Sequence, residues 1–168
     1  MTPADGTISG TRPPGTRALP RPCGQTPVVL IGCGARKAAM PQRPAALYTG
    51  PYFQSCLRAA LATAPREQVL VLSARHGLLG LDDGPIDPYE LTLGQPGAVT
   101  AAQLRAQAVS HGIADAAVVA LCGARYAALA AQVWTQVATP LAGLGIGRQR
   151  HVLARMTAAG CAAPGEEI

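Results

Sequence analysis

The chain has 168 residues, the length of a single domain, and 49% of them are hydrophobic, which is enough for one buried core. Charged residues make up 14% of the chain and the formal net charge is +5. Three arginines fall within residues 1–26, so the remainder is only mildly basic. It shows no clustered basic stripe of the kind that nucleic-acid-binding proteins use, which favours a small anionic ligand.

The five cysteines include neither a CxxC pair nor the spacing of zinc ligands, which predicts reduced thiols in a cytoplasmic protein without a metal or another cofactor. The N-terminal stretch lacks the apolar centre of a secretion signal, and no run of about 18 apolar residues suggests a membrane span. Residues 1–26 are rich in proline and glycine and are predicted to be a disordered leader. Residues 27–159 are predicted to form one domain, followed by a flexible tail over residues 160–168.

Three short apolar runs, each ended by a polar residue or a glycine, are predicted to be buried strands: residues 28–31, 69–72 and 116–121. Four segments with apolar residues at helical spacing are predicted to be helices: residues 52–64, 100–111, 124–137 and 148–159. The segments in between, residues 33–51 and 77–96, are predicted to be mostly loop, and residues 143–147 a glycine-rich turn. The alternation predicts an α/β fold in three layers, with a mainly parallel sheet of about four strands covered by helices on both faces.

Parallel strands bring their carboxyl ends to one edge of the sheet, where α/β proteins bind ligands. Each predicted strand is followed there by a turn with glycine or cationic side chains, which allow an anion to approach the backbone. The candidate ligand-binding residues in these turns are Gly32, Cys33, Gly34, Arg36, Ser73, Arg75, Gly123 and Arg125. Their convergence predicts a single cleft for a phosphate-bearing ligand; an ordinary strand end is the alternative for each turn taken alone. The first turn matches neither the Walker loop nor the dinucleotide fingerprint, whose third glycine is replaced here by Lys37.

Three residues are predicted to be catalytic: Lys37, His76 and Asp87. Lys37 is the only lysine beside thirteen arginines, which indicates a need for an amine at that position; chance is the alternative. His76 suits acid–base work, and Asp87 is the carboxylate expected to stabilise a cationic sugar or to activate water. A histidine packed under a loop and a solvated turn are the alternatives for these two.

Four further residues are candidate ligand contacts outside the strand ends. Tyr48 and Tyr89 offer aromatic rings on which a base can stack, with core packing as the alternative. Gly145 and Arg148 belong to the late glycine-rich turn and its following helix, where backbone amides and a cation can bind an anion. A flexible connector is the alternative there.

Several of these motifs together resemble one family of small bacterial and phage proteins, which is described only as a domain of unknown function. The motifs are Gly-Cys-Gly-Ala-Arg-Lys at residues 32–37, Tyr-Thr-Gly-Pro-Tyr-Phe at 48–53, Leu-Ser-Ala-Arg-His-Gly-Leu at 72–78, Pro-Tyr at 88–89, Gly-Ala-Arg-Tyr at 123–126 and Pro-Leu-Ala-Gly-Leu-Gly-Ile-Gly at 140–147. The sequence departs from the family pattern at Arg36 and Arg75, where lysine is common, and at His76, where tyrosine is common. The opening motif is also similar to a domain attached to archaeosine synthases, and more loosely to uracil-DNA-glycosylase-like folds. These resemblances imply chemistry at a nucleobase or its glycosidic bond.

Three functions are compatible with this set of residues. The first is an enzyme that acts on a nucleoside or nucleotide, as an N-glycosidase or a base-exchanging transferase. The second is a sensor that binds a nucleotide without converting it, and the third is a nicotinamide-dependent reductase that uses Arg75 for a 2′-phosphate. The expected partner is a small phosphorylated or nucleoside ligand; a nucleic acid is possible but not favoured, and no membrane is expected.

Overall fold

A computed structural model describes residues 27–161 of the chain. Its strands are β1 (Val28–Gly32), β2 (Val69–Ser73), β3 (Gly77–Gly80), β4 (Val118–Leu121) and β5 (Val137–Ala138). Its helices are α1 (Pro44–Leu47), α2 (Pro51–Thr63), α3 (Ala101–Ser110), α4 (Ala124–Val133) and α5 (Ile146–Cys161), with a 3₁₀ turn at Arg66–Gln68. The predicted leader and residues 162–168 of the predicted tail lie outside the described residues, whereas residues 160–161 of that tail belong to α5. Within residues 27–161, no helix is both long and apolar enough to cross a membrane.

The strands form one sheet in the order β3-β2-β1-β4-β5. β1 lies at its centre and pairs in parallel with β2 and β4, so that Ile31 is opposite Val71 on one side and Leu121 on the other. β5 continues the parallel sheet, whereas β3 runs antiparallel to β2 at the other edge. The predicted α/β class and the parallel adjacency of the three apolar strands are therefore confirmed, in a sheet of five strands.

Helices cover both faces of the sheet, which explains why the strands are apolar at successive positions. Val29 and Ile31 pack in a core cluster with residues of α2 and α5, whereas Val28 and Leu30 pack in a second cluster with residues of α3 and α4. Successive side chains of a strand point to opposite faces, so a continuous apolar run is required when both faces are buried. The predicted three-layer arrangement is confirmed.

Three short elements were not predicted. Residues 77–96 were expected to be mostly loop, but Gly77–Gly80 forms β3, because the Leu78–Leu79 pair between two glycines is too short to give a periodic signal. Residues 33–51 contain α1, a single turn that begins at Pro44. The expected helix over residues 124–137 ends at Val133, and the chain then enters β5, which is only two residues long. The predicted capping box at the start of α3 is present, with Thr100 accepting from the Gln103 amide.

α2 and α5 lie side by side and run in the same direction. Near their starts, the Tyr52 hydroxyl donates to Oε1 of Gln149 at 2.6 Å. Near their ends, the backbone at Gly160 approaches Ala62 so closely that a Cβ on residue 160 would overlap the Ala62 carbonyl. Because α2 begins at the loop that follows β1, the N-termini of both helices lie toward the carboxyl ends of the parallel strands, which we call the carboxyl edge.

Candidate functional site

The first turn of the carboxyl edge is fixed by packing and by hydrogen bonds. A Cβ on Gly32 would lie 2.9 Å from Cβ of Cys122, so only glycine fits beside β4. Beyond Gly32, the chain folds back and Lys37 forms an isolated antiparallel β-bridge with Tyr48. The Lys37 amine donates to the carbonyl of Gly34 at 3.2 Å and to that of Ala35 at 3.5 Å. The loop therefore presents its lysine in one defined place.

The second turn is the tip of the β2–β3 hairpin. Ser73 pairs with Gly77 across a three-residue loop that contains Arg75 and His76. Ser73 Oγ accepts from the backbone amides of Arg75 at 3.2 Å and of His76 at 3.0 Å, and Gly77 closes the loop with a φ of 74°. On α3, Gln107 donates to the His76 carbonyl at 2.8 Å and accepts from the Leu78 amide at 2.8 Å, which holds the tip in place.

Tyr89 lies at the centre of the side chains that these two turns present. Lys37 Nζ is 4.3 Å from the centroid of the Tyr89 ring, the Arg75 guanidinium is 5.9 Å away, and the His76 ring meets it edge-on at 5.4 Å. An ammonium over a tyrosine ring is stabilised electrostatically. We call Lys37, Tyr48, Ser73, Arg75, His76 and Tyr89 the Tyr89 cluster.

A chain of buried hydroxyl groups supports the centre of the Tyr89 cluster. The Tyr89 hydroxyl lies 2.6 Å from Ser73 Oγ and 2.8 Å from the Tyr48 hydroxyl. Both lone pairs of Ser73 Oγ are used by the two backbone amides, so Ser73 donates its proton to Tyr89 and Tyr89 donates in turn to Tyr48. Burial raises the pKa of Tyr89 and of Tyr48 above the ordinary phenol value. The hydroxyl chain is therefore neutral and leaves the charges of Lys37 and Arg75 uncompensated.

A second tyrosine reaches the first turn from α4. The Tyr126 hydroxyl lies 3.0 Å from Cys33 Sγ, and the ring packs against Gly32. Burial, followed by the hydrogen bond with Cys33, raises the pKa of Tyr126, so this phenol is also neutral at ordinary pH. It fixes the Cys33 side chain at the carboxyl edge.

His76 is biased toward its neutral form. Burial lowers its pKa below the ordinary histidine value, and the positive charge of the neighbouring Arg75 lowers it further. Near neutral pH the ring therefore has one nitrogen able to accept a proton, as a general base requires.

Charges are distributed unequally between the two ends of the strands. Arg36, in the turn after β1, and Arg125, in the first turn of α4, join Lys37 and Arg75 at the carboxyl edge. Four of the carboxylates belong to segments at the opposite end, which we call the amino edge: Glu67, Asp82, Asp83 and Asp115. The one ion pair within residues 27–161, between Arg66 Nε and Asp82 Oδ2 at 2.7 Å, is also at the amino edge. In the described part of the chain, no carboxylate forms a hydrogen bond with the Tyr89 cluster.

The structure brings many of the sequence-predicted site residues together. Those that lie in or directly beside the Tyr89 cluster are Gly32, Cys33, Gly34, Lys37, Tyr48, Ser73, Arg75, His76 and Tyr89. Tyr48 is completely buried and Tyr89 is 6% exposed, so their rings lie beneath the charged side chains of the cluster and offer no open face for a base. Their role in ligand binding is thereby restricted to holding the cationic groups.

Other predicted residues lie outside the Tyr89 cluster. Asp87 is exposed, and the described contacts do not connect it to the cluster. Gly123 is the N-cap of α4, and Arg125 donates to the Leu93 carbonyl at 3.5 Å. Arg36 is exposed and packs its Cβ near Gly50 at the start of α2. The remaining two, Gly145 and Arg148, lie at the beginning of α5.

Two structural partners of the site were not predicted from the sequence. Tyr126 belongs to the Gly-Ala-Arg-Tyr motif at residues 123–126. Its position in the first turn of the helix after β4 could have indicated that its ring lies near the carboxyl edge. Gln107 lies on α3, 31 residues beyond His76, and nothing in its local sequence distinguishes it from a surface residue. Within residues 27–161, no group of three or more His, Cys, Asp or Glu side chains is placed to hold a metal ion.

Comparison with known proteins identifies the family. The chain is 34% identical over 94 residues to the protein described as uncharacterized protein YfjM of Bacillus subtilis (strain 168), and the alignment spans 51% of this chain and 61% of that protein. No solved structure matches the chain significantly. The family of unknown function DUF6884 matches residues 28–155, which include the whole sheet and most of α5. The chain therefore belongs to the family of unknown function DUF6884, as the resemblance to an uncharacterised domain family predicted.

Proposed function

We propose that the protein binds a phosphate-bearing nucleotide at the carboxyl edge and cleaves or exchanges its glycosidic bond. The observation that carries this proposal is the convergence of Lys37, Arg75 and His76 on the Tyr89 ring, with neutral hydroxyl groups beneath them. Two cations without a compensating carboxylate attract an anion. The carboxyl edge of a parallel sheet is also where ligands of α/β proteins bind.

The contacts of Lys37 support a role as a fixed positive charge. Its ammonium donates to two carbonyls and lies over the face of the Tyr89 ring, contacts that suit a fixed positive charge. Attack on a sugar carbon requires an unprotonated amine. We therefore assign Lys37 to holding the phosphate and stabilising charge in the transition state, rather than to covalent attack.

The proposed hydrolysis uses water as the nucleophile. The water oxygen forms a bond to C1′ of the sugar, the glycosidic C–N bond breaks, and its electron pair goes to the departing base. The proton that water loses is accepted by Asp87 or His76 and is then delivered to the departing base. Asp87, two residues before Tyr89, is the carboxylate assigned to the cationic sugar. In base exchange, a second base takes the place of water.

Nucleotide binding and base release test the proposal directly. We expect isothermal titration calorimetry to show binding of nucleoside 5′-monophosphates and much weaker binding of the matching nucleosides, because the phosphate supplies the charge. Chromatography of overnight incubations is expected to show free base from at least one of the monophosphates. If none of the monophosphates binds, or if their affinity is the same in Arg75→Gln, the proposal is wrong.

A nucleotide sensor is the second candidate function. It is favoured by the finding that, among the described residues, no carboxylate hydrogen-bonds to the Tyr89 cluster, because binding alone needs no carboxylate at the sugar. A sensor would bind the monophosphate without releasing base, and Asp87→Asn would leave its affinity unchanged. Base release that falls in Asp87→Asn, with binding retained, identifies the enzyme.

A further inference from the structure

The surface of α2 and α5 carries cations and no anions. Neither helix contains an aspartate or glutamate, whereas exposed arginines occur on both: Arg58 on α2 and Arg148, Arg150 and Arg155 on α5. Three of these arginines lie close together on α5, and Arg58 joins them only when α2 packs beside α5. Folding therefore creates a basic surface that the composition alone does not predict.

The basic groups of α5 are arranged in a row. Arg148, His151 and Arg155 are spaced by three and four residues, so they share one face of the helix, and all three side chains are exposed. Seven residues of helix span about 10 Å. The exposed residue Ala154 between them is small, which leaves both guanidinium groups accessible. We call these three residues the α5 row.

The α5 row begins at the same edge of the sheet as the Tyr89 cluster. Gln149, next to Arg148, accepts from Tyr52 in the first turn of α2, and the loop from β1 leads directly into α2. Arg36 lies beside Gly50, at the N-terminus of that helix. Cationic groups therefore continue from the carboxyl edge along the outer surface of the molecule.

We propose that the nucleotide bound at the Tyr89 cluster is part of a nucleic acid strand, and that the phosphates flanking it bind the α5 row. This inference rests on the proposed function and names its substrate class. A free nucleotide carries its phosphates on a single sugar, which does not account for two further arginines that lie about 10 Å apart on α5. A strand carries a phosphate at every nucleotide, and its backbone binds exposed arginines independently of sequence.

The strand is single in this proposal. A base within a duplex is stacked and paired, and enzymes that act on it must first extract it or bind it in single-stranded form. The α5 row contains no phenylalanine, tyrosine or tryptophan that would wedge a duplex apart. A single strand gives the Tyr89 cluster access to its bases without that cost.

Binding of labelled oligonucleotides tests the inference. The probes are fluorescein-labelled 12-nucleotide single strands of DNA and of RNA, a DNA duplex of the same sequence, and unlabelled nucleoside 5′-monophosphates. Fluorescence anisotropy of the full chain is measured between low and moderate salt. The variants are Arg148→Ala, Arg155→Ala and their combination. Arg105→Ala is the matched control, since Arg105 is an exposed helical arginine on the opposite face of the sheet.

We expect a single strand to bind at least about tenfold more tightly than a monophosphate. Each single α5 variant is expected to lower the salt dependence by about 0.7 in the log–log slope, the value for one phosphate contact to a single strand, and the combined variant by about 1.4. Arg105→Ala is expected to leave the slope unchanged. The 2′-hydroxyl allows a protein to distinguish RNA from DNA, and the two probes identify which strand is preferred. Equal binding of the duplex contradicts a single-strand substrate.

The outcomes separate this inference from the proposed function. If monophosphates bind but strands bind no more tightly, or if Arg155→Ala behaves like Arg105→Ala, the strand proposal is wrong and the nucleotide site stands. If strands bind through the α5 row while Arg75→Gln changes neither monophosphate binding nor base release, the basic surface stands and the nucleotide site is wrong.

Discussion

The position of the Lys37 amine depends on its compact shape. Nζ fits between the Gly34 carbonyl at 3.2 Å and the Tyr89 ring at 4.3 Å, whereas a guanidinium is planar and wider. We expect Lys37→Arg to keep part of the nucleotide affinity but to lower base release by about two orders of magnitude, a typical effect of displacing a catalytic group. Lys37→Met, which removes the charge, is expected to lose both.

Thermal unfolding is the control for the Lys37 variants. Lys37 is only half-buried, so both variants should melt close to the wild-type temperature. Base release at the wild-type rate in Lys37→Arg contradicts the requirement for an amine. In that case any cation at this strand end suffices.

The titration of His76 reports on its neighbours. Burial is the main cause of its lowered pKa and Arg75 is the second, so Arg75→Gln should raise the pKa of His76 while leaving it below the ordinary value of about 6.5. NMR titration of the histidine ring signals measures the change, with Arg105→Ala as a distant control. An unchanged midpoint in Arg75→Gln means that Arg75 does not act on the ring.

The same lowered pKa makes stability depend on pH. Because the unfolded chain binds a proton at His76 more readily than the folded protein does, the contribution of this group is fully present above the unfolded pKa of about 6.5 and declines as the pH falls below it. The difference in melting temperature between pH 7 and pH 5 should therefore be smaller in His76→Gln than in the wild type.

The hydroxyl group of Tyr89 satisfies two buried partners at once. Tyr89→Phe would leave the hydroxyls of Tyr48 and Ser73, both completely buried, without their present partner. We expect a loss of about 1–3 kcal/mol in the free energy of unfolding, measured with urea. Tyr126→Phe is the matched comparison, and its loss should be smaller because its partner is the half-buried Cys33 thiol, a weak acceptor. Equal losses of unfolding free energy in Tyr89→Phe and Tyr126→Phe contradict the role of the buried hydroxyl chain in stability.

At the scale of elements, the β2–β3 hairpin positions Arg75 and His76 beside Tyr89. Gly77 closes it with a φ of 74°, and a Cβ there would overlap the Gln107 carboxamide that holds the tip. We expect Gly77→Ala to destabilise the fold by about 1–3 kcal/mol, the range for a strained backbone position. Gly84→Ala is the control, because a Cβ on Gly84 meets no atom within 4 Å and its φ is not positive. Equal melting temperatures of the two variants contradict this role of Gly77.

The elements differ in how well the sequence predicts them, for physical reasons. β1, β2 and β4 were predicted because burial on both faces requires continuous apolar runs. β3 and β5 are short edge strands, whose formation depends on pairing with a neighbour rather than on their own pattern. The N-cap of α3 was predicted because its capping box is local, four residues from Thr100 to Gln103.

At the scale of the whole molecule, the direction of the parallel strands predicts the position of the site. It does not predict which side chains meet there. Parallel strands place the turns after Ile31 and Leu72 at one edge, which the sequence alone predicts. The contact between Cys33 and Tyr126 joins residues 93 positions apart, and the contact between Tyr48 and Tyr89 joins residues 41 apart. Such pairs are determined by packing, for which no local pattern exists.

The separation of charge between the two edges of the sheet has a kinetic consequence. Cations predominate at the carboxyl edge, whereas the four carboxylates at the amino edge are only partly balanced by Arg66, so the molecule has an electric dipole along its strands. An approaching anion exerts a torque that turns the carboxyl edge toward it before contact, so productive encounters exceed those of random orientation. Added salt should therefore slow association more than it speeds dissociation. The carboxyl edge is already turned toward the ligand when the two molecules come into contact.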